Sequence, residues 1–229
     1  MRNQRTYSAV LNNGIPITLC HRAVKLFRIS VKPDGSVEAV APWRMSRETA
    51  LRLANERADW VREHRAKFLE RGVVQYANGE LVPLWGVKCP LRVVSGKPGA
   101  QFDGEYIVLS APEDSGAEAR HAALLTLYRR ELERAIPPLV SKYAAALDVA
   151  APKWSLRDMR SRWGSCTPAR GTVRFSLALA AKPPECLEYV VAHELTHLRI
   201  HGHGPDFHAL VRSVYPREND ARSLLRSTV

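Results

Sequence analysis

The stretch EYVVAHELTHLRIHGHGPDF, residues 188–207, decides how the rest of the chain is interpreted. Its first half carries the sequence HExxH, from His193 to His197, among apolar residues at helical spacing. Residues four apart lie on one face of a helix, so these two imidazoles can bind the same ion. Glu194 stands beside them, within reach of a water molecule at the ion. The stretch therefore predicts a helix with a Zn²⁺ site, in which Glu194 acts as the catalytic general base.

A catalytic zinc also needs a third protein ligand. The residues after the HExxH sequence offer several donors: His201, His203, Asp206, His208 and, farther on, the weaker candidate Glu218. If the helix continued through residue 201, His193 and His201 would lie about 12 Å apart along its axis, too far to share one ion. Gly202 and Gly204 flank His203 and permit a chain reversal that returns it to the metal. The spacing therefore favours His203 as the third ligand.

Residues 188–207 resemble the signature of the YgjP-like metallopeptidase family, which is related to SprT-type zincins. Upstream, RSRWGSCTPARGTVRFSLALA at 160–180 is similar to the second hallmark of that family, SRWGSC followed by a strand and an apolar turn. The resemblance implies a set of metal ligands and a catalytic acid/base: His193, His197, His203 and Glu194. It also implies an α+β fold in which a zincin-like catalytic domain carries the HExxH active-site helix beside a small sheet.

The resemblance further implies that the SRWGSC segment faces the metal. An arginine there can hold a substrate carboxylate or phosphate through two hydrogen bonds. The candidate substrate-binding residues are Arg160, Arg162, Trp163 and Ser165. The alternative is a solvated basic strand with the tryptophan packed in the core. The following strand, TVRFSLALA, either presents an edge to which an extended peptide adds or lies in the core.

Size and composition are those of an ordinary soluble globular protein, with 229 residues, 45% of them hydrophobic and 25% charged. No run approaches the roughly 18 apolar residues of a membrane helix, and the start has no secretory signal, which predicts a cytoplasmic protein. The four cysteines lie far apart and form no CxxC pair. They are therefore interpreted as reduced thiols, not as disulfides or zinc ligands.

The net charge of +11 is unevenly distributed, because residues 1–72 carry 14 Lys and Arg against 7 Asp and Glu. Such an excess favours acidic partners, among them nucleic acid and nucleotides. The alternative is that the charge only serves solubility.

The first part of the chain, residues 1–112, is interpreted as a β-rich N-terminal module with one helix. Pro33, Asp34 and Gly35 predict the turn of a hairpin. Ser46 is expected to cap a helix over about 47–70 that stops at Gly72.

A linker at 111–118 then leads to a catalytic domain over residues 117–229. The helical stretch that opens it is expected to kink or break at Pro137 and Pro138, because proline removes a backbone donor. Strands are expected at about 154–160 and 172–180, with a loop between them.

Three functions compete on these observations. The first is a zinc metallopeptidase acting on a peptide or protein. The second is a metal-dependent nucleoside triphosphate pyrophosphohydrolase, with the arginine cluster as a phosphate clamp. The third is a basic, nucleic-acid-associated SprT-like protein whose binding depends strongly on salt.

Overall fold

The computed structural model describes residues 5–32, 34–71, 74–159 and 161–227. The chain divides into two compact units, Met1–Val74 and Gln75–Val229. The described residues form a mixed α+β structure with six α-helices and three sheets. Among them, no helix combines the length and the apolar character needed to cross a membrane.

The first unit is a four-stranded sheet with two helices. Its strands are β1 (Arg5–Val10), β2 (Pro16–Arg22), β3 (Arg28–Val31) and β4 (Val37–Pro42). They lie in the order β1-β2-β4-β3, in which only the β2–β4 pair is parallel. The predicted hairpin is the antiparallel β3–β4 pair, although Pro33 of its turn lies outside the described residues.

The single helix predicted over 47–70 is two helices, α1 (Arg47–Asn55) and α2 (Ala58–Arg71). Ser46 caps α1 as expected, because its hydroxyl accepts a hydrogen bond from the Thr49 N–H at 3.1 Å. The loop between β1 and β2 forms hydrogen bonds with the residues between and beside α1 and α2. The Asn12 N–H donates to the Asn55 side chain, and the Asn13 side-chain amide donates to the Ala58 carbonyl. Tertiary hydrogen bonds thus divide a segment that has no Pro or Gly to break it. Gly72, the expected stop, lies outside the described residues.

The second unit contains the other two sheets and four helices. Its strands are β5 (Leu81–Leu84), β6 (Val87–Ser95), β7 (Gly99–Phe102), β8 (Ile107–Ala111), β9 (Lys153–Arg157), β10 (Gly164–Thr167) and β11 (Thr172–Ser176). The helices are α3 (Ala117–Ala146), α4 (Pro184–Thr196), α5 (Pro205–Val214) and α6 (Glu218–Arg226), with 3₁₀ turns at Pro168–Arg170 and Leu177–Ala181. The sheets run in the orders β5-β6-β8-β7 and β10-β11-β9.

The units divide between Val74 and Gln75, whereas the sequence interpretation divided the chain between 112 and 117. The reason is packing: α3 lies against β7, β8 and the 3₁₀ turn that follows β11, so the strands over 81–111 share one apolar core with the C-terminal half. The residues at 112–116 are a tight connection within the second unit.

Two expected details of this unit differ in the structure. A kink or a break was expected at Pro137 and Pro138, and no break occurs, because α3 runs for 30 residues through both prolines. Leu132, Ile136 and Val140 are buried on either side of them, so core packing outweighs the lost backbone hydrogen bonds.

The second detail concerns the small sheet, because residues 164–167, expected to be a loop, form strand β10. The expected strands are also shorter, since residues 177–181 form a 3₁₀ turn. Strand β11 is the central strand of the three, so the alternative that it offers a free edge is excluded. The edge strands are β10 and β9.

Candidate metal centre

Helix α4 carries the first part of the HExxH sequence in its last turn. It starts at Pro184, a residue suited to the first helical position because that position needs no N–H donor. Leu187, Val191 and Leu195 are buried in the core, which fixes the helix in place. His193 and Glu194 lie in the last turn, and His197 caps the helix with right-handed helical dihedrals.

The chain then reverses and returns to the helix. The N–H of Ile200 donates to the Thr196 carbonyl, which closes one further turn after the helix. Gly202 has a φ of 84°, a left-handed conformation that side chains disfavour. Helix α5 starts three residues later at Pro205, and the reversal brings His203 back to the end of α4, as the glycine spacing predicted.

The three histidines form one cluster. The potential ligand atoms of His193, His197 and His203 all lie within 4.8 Å of one another, and among the described residues this is the group arranged to hold a metal ion. The Nε2 atoms of His193 and His203 are 3.2 Å apart. Two nitrogens that bind one tetrahedral zinc at 2.0–2.1 Å are separated by about 3.3 Å. The spacing therefore fits a shared ion.

Hydrogen bonds orient two of the imidazoles. Nδ1 of His197 lies 3.3 Å from the Ile200 carbonyl oxygen, so Nδ1–H donates to it and the lone pair of Nε2 remains available. Nδ1 of His193 lies 3.2 Å from the Tyr189 hydroxyl, whose oxygen can accept a hydrogen bond from Nδ1–H in the same way. Such partners fix the tautomer of metal-binding histidines.

An aromatic ring packs against all three histidines of the cluster. The Phe207 side chain is fully buried, and its ring centroid lies 4.5–4.9 Å from those of all three histidines. Since Phe207 belongs to the first turn of α5, this contact holds the start of α5 against the end of α4.

His193 and His197 are neutral near pH 7. Burial, assisted by the neighbouring imidazoles His197 and His203, lowers the pKa of His193 to about 3. Burial also lowers the pKa of His197. Because a metal ligand must offer its lone pair, neutral imidazoles are the form that binds an ion.

Glu194 is 6% exposed, and among the described residues no side chain donates a hydrogen bond to its carboxyl group. Burial raises the pKa of Glu194 to about 7, although the positive charge of Arg162 opposes the rise. A carboxyl group with this pKa exchanges protons readily at neutral pH, as a general acid/base must.

Gly164 in strand β10 lies against this carboxyl group. A Cβ atom at this position would lie 2.5 Å from Glu194 Oε1, so only glycine lets the strand approach so closely. The sequence interpretation missed this role. The glycine of the SRWGSC segment was its only local signal.

A cleft of about 760 Å³ opens onto the histidines and Glu194. Three of the predicted substrate-binding residues line it: Arg162, Trp163 and Ser165. The fourth, Arg160, lies outside the described residues. Trp163 also packs against the core, so both interpretations offered for it hold in part. Cys166 lines the cleft too, but burial raises the pKa of its thiol to about 11, which keeps it protonated and unreactive.

Three residues of α6 that line the cleft were not anticipated: Arg222, Leu225 and Arg226. No local sequence pattern pointed to them. Tyr189, by contrast, could have been found, because it lies four residues before His193 on the same helix face.

The remaining histidines lie outside the cluster. His201 lines the cleft but is not among the three grouped ligands. His208 pairs with the buried Glu218, whose Oε1 lies 2.7 Å from its Nδ1. That carboxylate also faces Arg212 and Arg222, each at 3.5 Å, so Glu218 is engaged away from the metal cluster.

A family model described as a YgjP-like metallopeptidase domain matches residues 25–228. The chain belongs to the YgjP-like metallopeptidase family. Membership indicates a metal-dependent peptidase with a divalent ion and a peptide or protein substrate.

Among solved structures, this YgjP-like chain is similar to the metallopeptidase zymogen of Pyrococcus abyssi abylysin, at 24% identity. The match covers 40% of this chain and 97% of that chain, with a TM-score of 0.35. A comparison with curated proteins finds no match.

Proposed function

We propose that the chain is a zinc-dependent peptidase with a zincin-like centre. His193, His197 and His203 hold the ion, and Glu194 is the general base and acid. The observation that carries the proposal is the meeting of three imidazoles, two of them 3.2 Å apart, beside a buried carboxyl group with a pKa of about 7. Few structural arrangements other than a catalytic metal site need this combination.

The donor set suits zinc. Three neutral imidazoles leave the charge of the ion intact and a fourth position open, which is typical of a catalytic site. When bound, the ion supplies a Lewis acid that lowers the pKa of a water molecule and polarises the scissile carbonyl. Other divalent ions accept the same ligands, so the choice of zinc rests on the match of geometry and ligand type.

Glu194 moves the proton. Its carboxylate takes a proton from the attacking water and then delivers it to the amine of the leaving group. Gly164 supports this role, because the close approach of its backbone excludes bulk water from one side of the carboxyl group. Tyr189 and the Ile200 carbonyl keep the two helix histidines in the orientation that presents Nε2.

Strand β10 offers a place for the substrate. It is one of the two edge strands of its sheet and lines the cleft with Gly164, Ser165 and Cys166. An extended peptide can pair with such an edge through main-chain hydrogen bonds. Arg162 and Trp163 stand at the start of this strand, and Arg160 is proposed as a further substrate contact from its sequence position.

Nucleoside triphosphate hydrolysis is the second candidate. The arginines that line the cleft favour this activity, since guanidinium groups bind phosphate as well as carboxylate. No feature of the described cleft supports the third expectation, a nucleic-acid-associated protein.

Elemental analysis of dialysed protein tests the metal site. We expect about one zinc per wild-type chain and a large loss in His193→Ala and His203→Ala. His201→Ala is the matched control, because His201 and His203 flank the same glycine and only His203 belongs to the cluster. It should retain the ion. Wild-type protein that takes up no added zinc would contradict the proposal.

Peptide hydrolysis tests the reaction. The zinc-loaded wild type should cleave peptides in an unbiased mixture, and a chelator should stop cleavage. If the zinc-loaded protein hydrolyses nucleoside triphosphates and no peptide, the second candidate replaces the first.

A further inference from the structure

We propose that Arg226, together with Arg222, forms a carboxylate-binding subsite of the cleft that selects peptides with a carboxylate near the scissile bond. This proposal rests on the peptidase function proposed above. The juxtaposition that carries it is one helix face with two arginines, one turn apart, that lines the same cleft as strand β10 and the histidine cluster.

Both arginines line the cleft that holds the histidine cluster. Residues four apart share a helix face, so Arg222 and Arg226 project in the same direction from α6. The same cleft is lined by His193, His197 and His203, so both guanidinium groups lie in the surroundings of the histidine cluster.

Arg222 is held in place. Its Nη1 lies 3.5 Å from Oε1 of the buried Glu218, and its side chain remains 40% exposed. A guanidinium group has five N–H donors, so this contact leaves several free for a ligand. Arg222 is therefore oriented and its charge largely balanced.

Arg226 is different, because no ion pair or hydrogen bond joins its side chain to another described residue. Glu194 is the only acidic residue among the described residues that line the cleft. A bound divalent ion, Arg162 and Arg226 together give the cleft an excess of positive charge. Such a site attracts a substrate with negative charge.

The end of α6 is anchored, which makes Arg226 a defined contact and not a solvated helix end. The ammonium group of Lys182 donates to the carbonyls of Leu224 and Ser227, at 3.4 and 2.5 Å. The same ammonium group lies 5.5 Å from the centroid of Trp163. Lys182, only 7% exposed, thus links the end of α6 to Trp163, another residue that lines the cleft.

A guanidinium group can bind an acidic side chain or the terminal carboxylate of a peptide. The test distinguishes these sources with three peptides of one sequence. The first has an internal Glu and an amidated C-terminus. The second has Gln in its place and the same amide, and the third has Gln and a free C-terminal carboxylate.

Binding is measured by fluorescence anisotropy of labelled peptides with zinc-loaded Glu194→Gln protein, which prevents turnover. We expect at least one carboxylate peptide to bind about tenfold more tightly than the neutral one, as one charge-assisted hydrogen bond provides. Adding Arg226→Gln should remove that preference, whereas Arg129→Gln, on the exposed face of α3 outside the cleft, should leave it intact. Because Arg226 is exposed, the preference should also shrink with added salt.

Equal binding of all three peptides would overturn the proposal, as would a preference that survives Arg226→Gln. Adenosine triphosphate is the fourth probe: Arg226-dependent binding of the nucleotide without any for the carboxylate peptides also overturns it. Cleavage by the wild type is assayed separately. A retained carboxylate preference with no metal-dependent cleavage would refute the peptidase function and leave the subsite standing.

Discussion

Two buried glutamates in the second unit differ sharply in their surroundings. Glu194, 6% exposed, faces the cleft without a hydrogen-bond donor from any described side chain. Glu218, 1% exposed, faces three donors: His208 at 2.7 Å and Arg212 and Arg222 at 3.5 Å. Burial without a donor makes ionisation of the Glu194 carboxyl group unfavourable. The Glu218 carboxyl group instead faces two arginines and a histidine.

Under the proposed function, the difference separates a carboxyl group that moves a proton from one that joins elements of the fold. A buried carboxylate without partners is unfavourable, so a protein keeps one mainly where its proton must move. A buried carboxylate with partners instead joins elements together. His208 and Arg212 belong to α5, while Glu218 and Arg222 belong to α6, so this network ties α5 to the helix that lines the cleft.

The largest expected effect separates the two glutamates by activity. Glu194→Gln should lower kcat for peptide cleavage by about 10²–10⁴-fold, because the amide cannot take a proton from water. Zinc content should not change, since the carboxyl group is not one of the grouped ligands. Steady-state kinetics and elemental analysis measure the two quantities. Glu105→Gln, on an exposed turn, is the control, and equal activity of the two variants would remove Glu194 from the reaction.

The pH dependence of stability is the next largest effect. Burial raises the pKa of Glu194 to about 7 in the folded, metal-free protein. The folded state therefore binds more protons than the unfolded state, and the stability contribution of this group falls as pH rises from its ordinary value through 7. Glu194→Gln should be more stable than the wild type at pH 8 by up to about 3 kcal/mol, and similar at pH 4. Urea unfolding of chelator-treated protein measures the free energy of unfolding of both proteins. The prediction is contradicted if the difference between the variant and the wild type is the same at pH 8 and at pH 4.

Glu218→Gln should lower the free energy of unfolding, whereas Glu194→Gln should raise it at pH 8. Removing the charge leaves Arg212 and Arg222 beside a neutral group, which we expect to cost about 2 kcal/mol, since both guanidinium groups keep partial access to water. Urea unfolding at pH 7 measures the free energy of unfolding. The exposed Glu105→Gln again serves as the reference, and a loss no greater than in that variant would show that the network around Glu218 contributes little.

The smallest expected effect concerns the orientation of His193. Tyr189→Phe removes the hydroxyl group near Nδ1 of His193 and should weaken zinc affinity about tenfold. Competition with a chromophoric chelator measures the affinity. Tyr215→Phe is the matched control, because it loses a hydroxyl that donates to the Glu185 carbonyl and does not touch the histidines. Equal affinities in the two variants would show that the Tyr189 hydroxyl does not orient the ligand.

Local spacing was enough to predict the core of the candidate site. His193 and His197 lie one helical turn apart because the α-helix has a fixed period, and that period is written in the sequence. Gly202 and Gly204 likewise marked the reversal that returns His203, since only backbone conformation was at issue. The family resemblance followed from the same short segments and was confirmed by the match over residues 25–228.

Features that depend on contact between distant segments could not be predicted in this way. Three features of the cleft each bring together residues about 30 or more positions apart: the approach of Gly164 to Glu194, the anchoring of α6 by Lys182 and the position of Arg226 in the cleft. The division of the chain near residue 74 and the unbroken path of α3 through two prolines also depend on packing between distant segments. The sequence by itself determined which groups can bind a metal and move a proton, because helix period and glycine turns are local. Only the tertiary structure decided what surrounds them, because burial and the approach of one element to another depend on how the whole core packs.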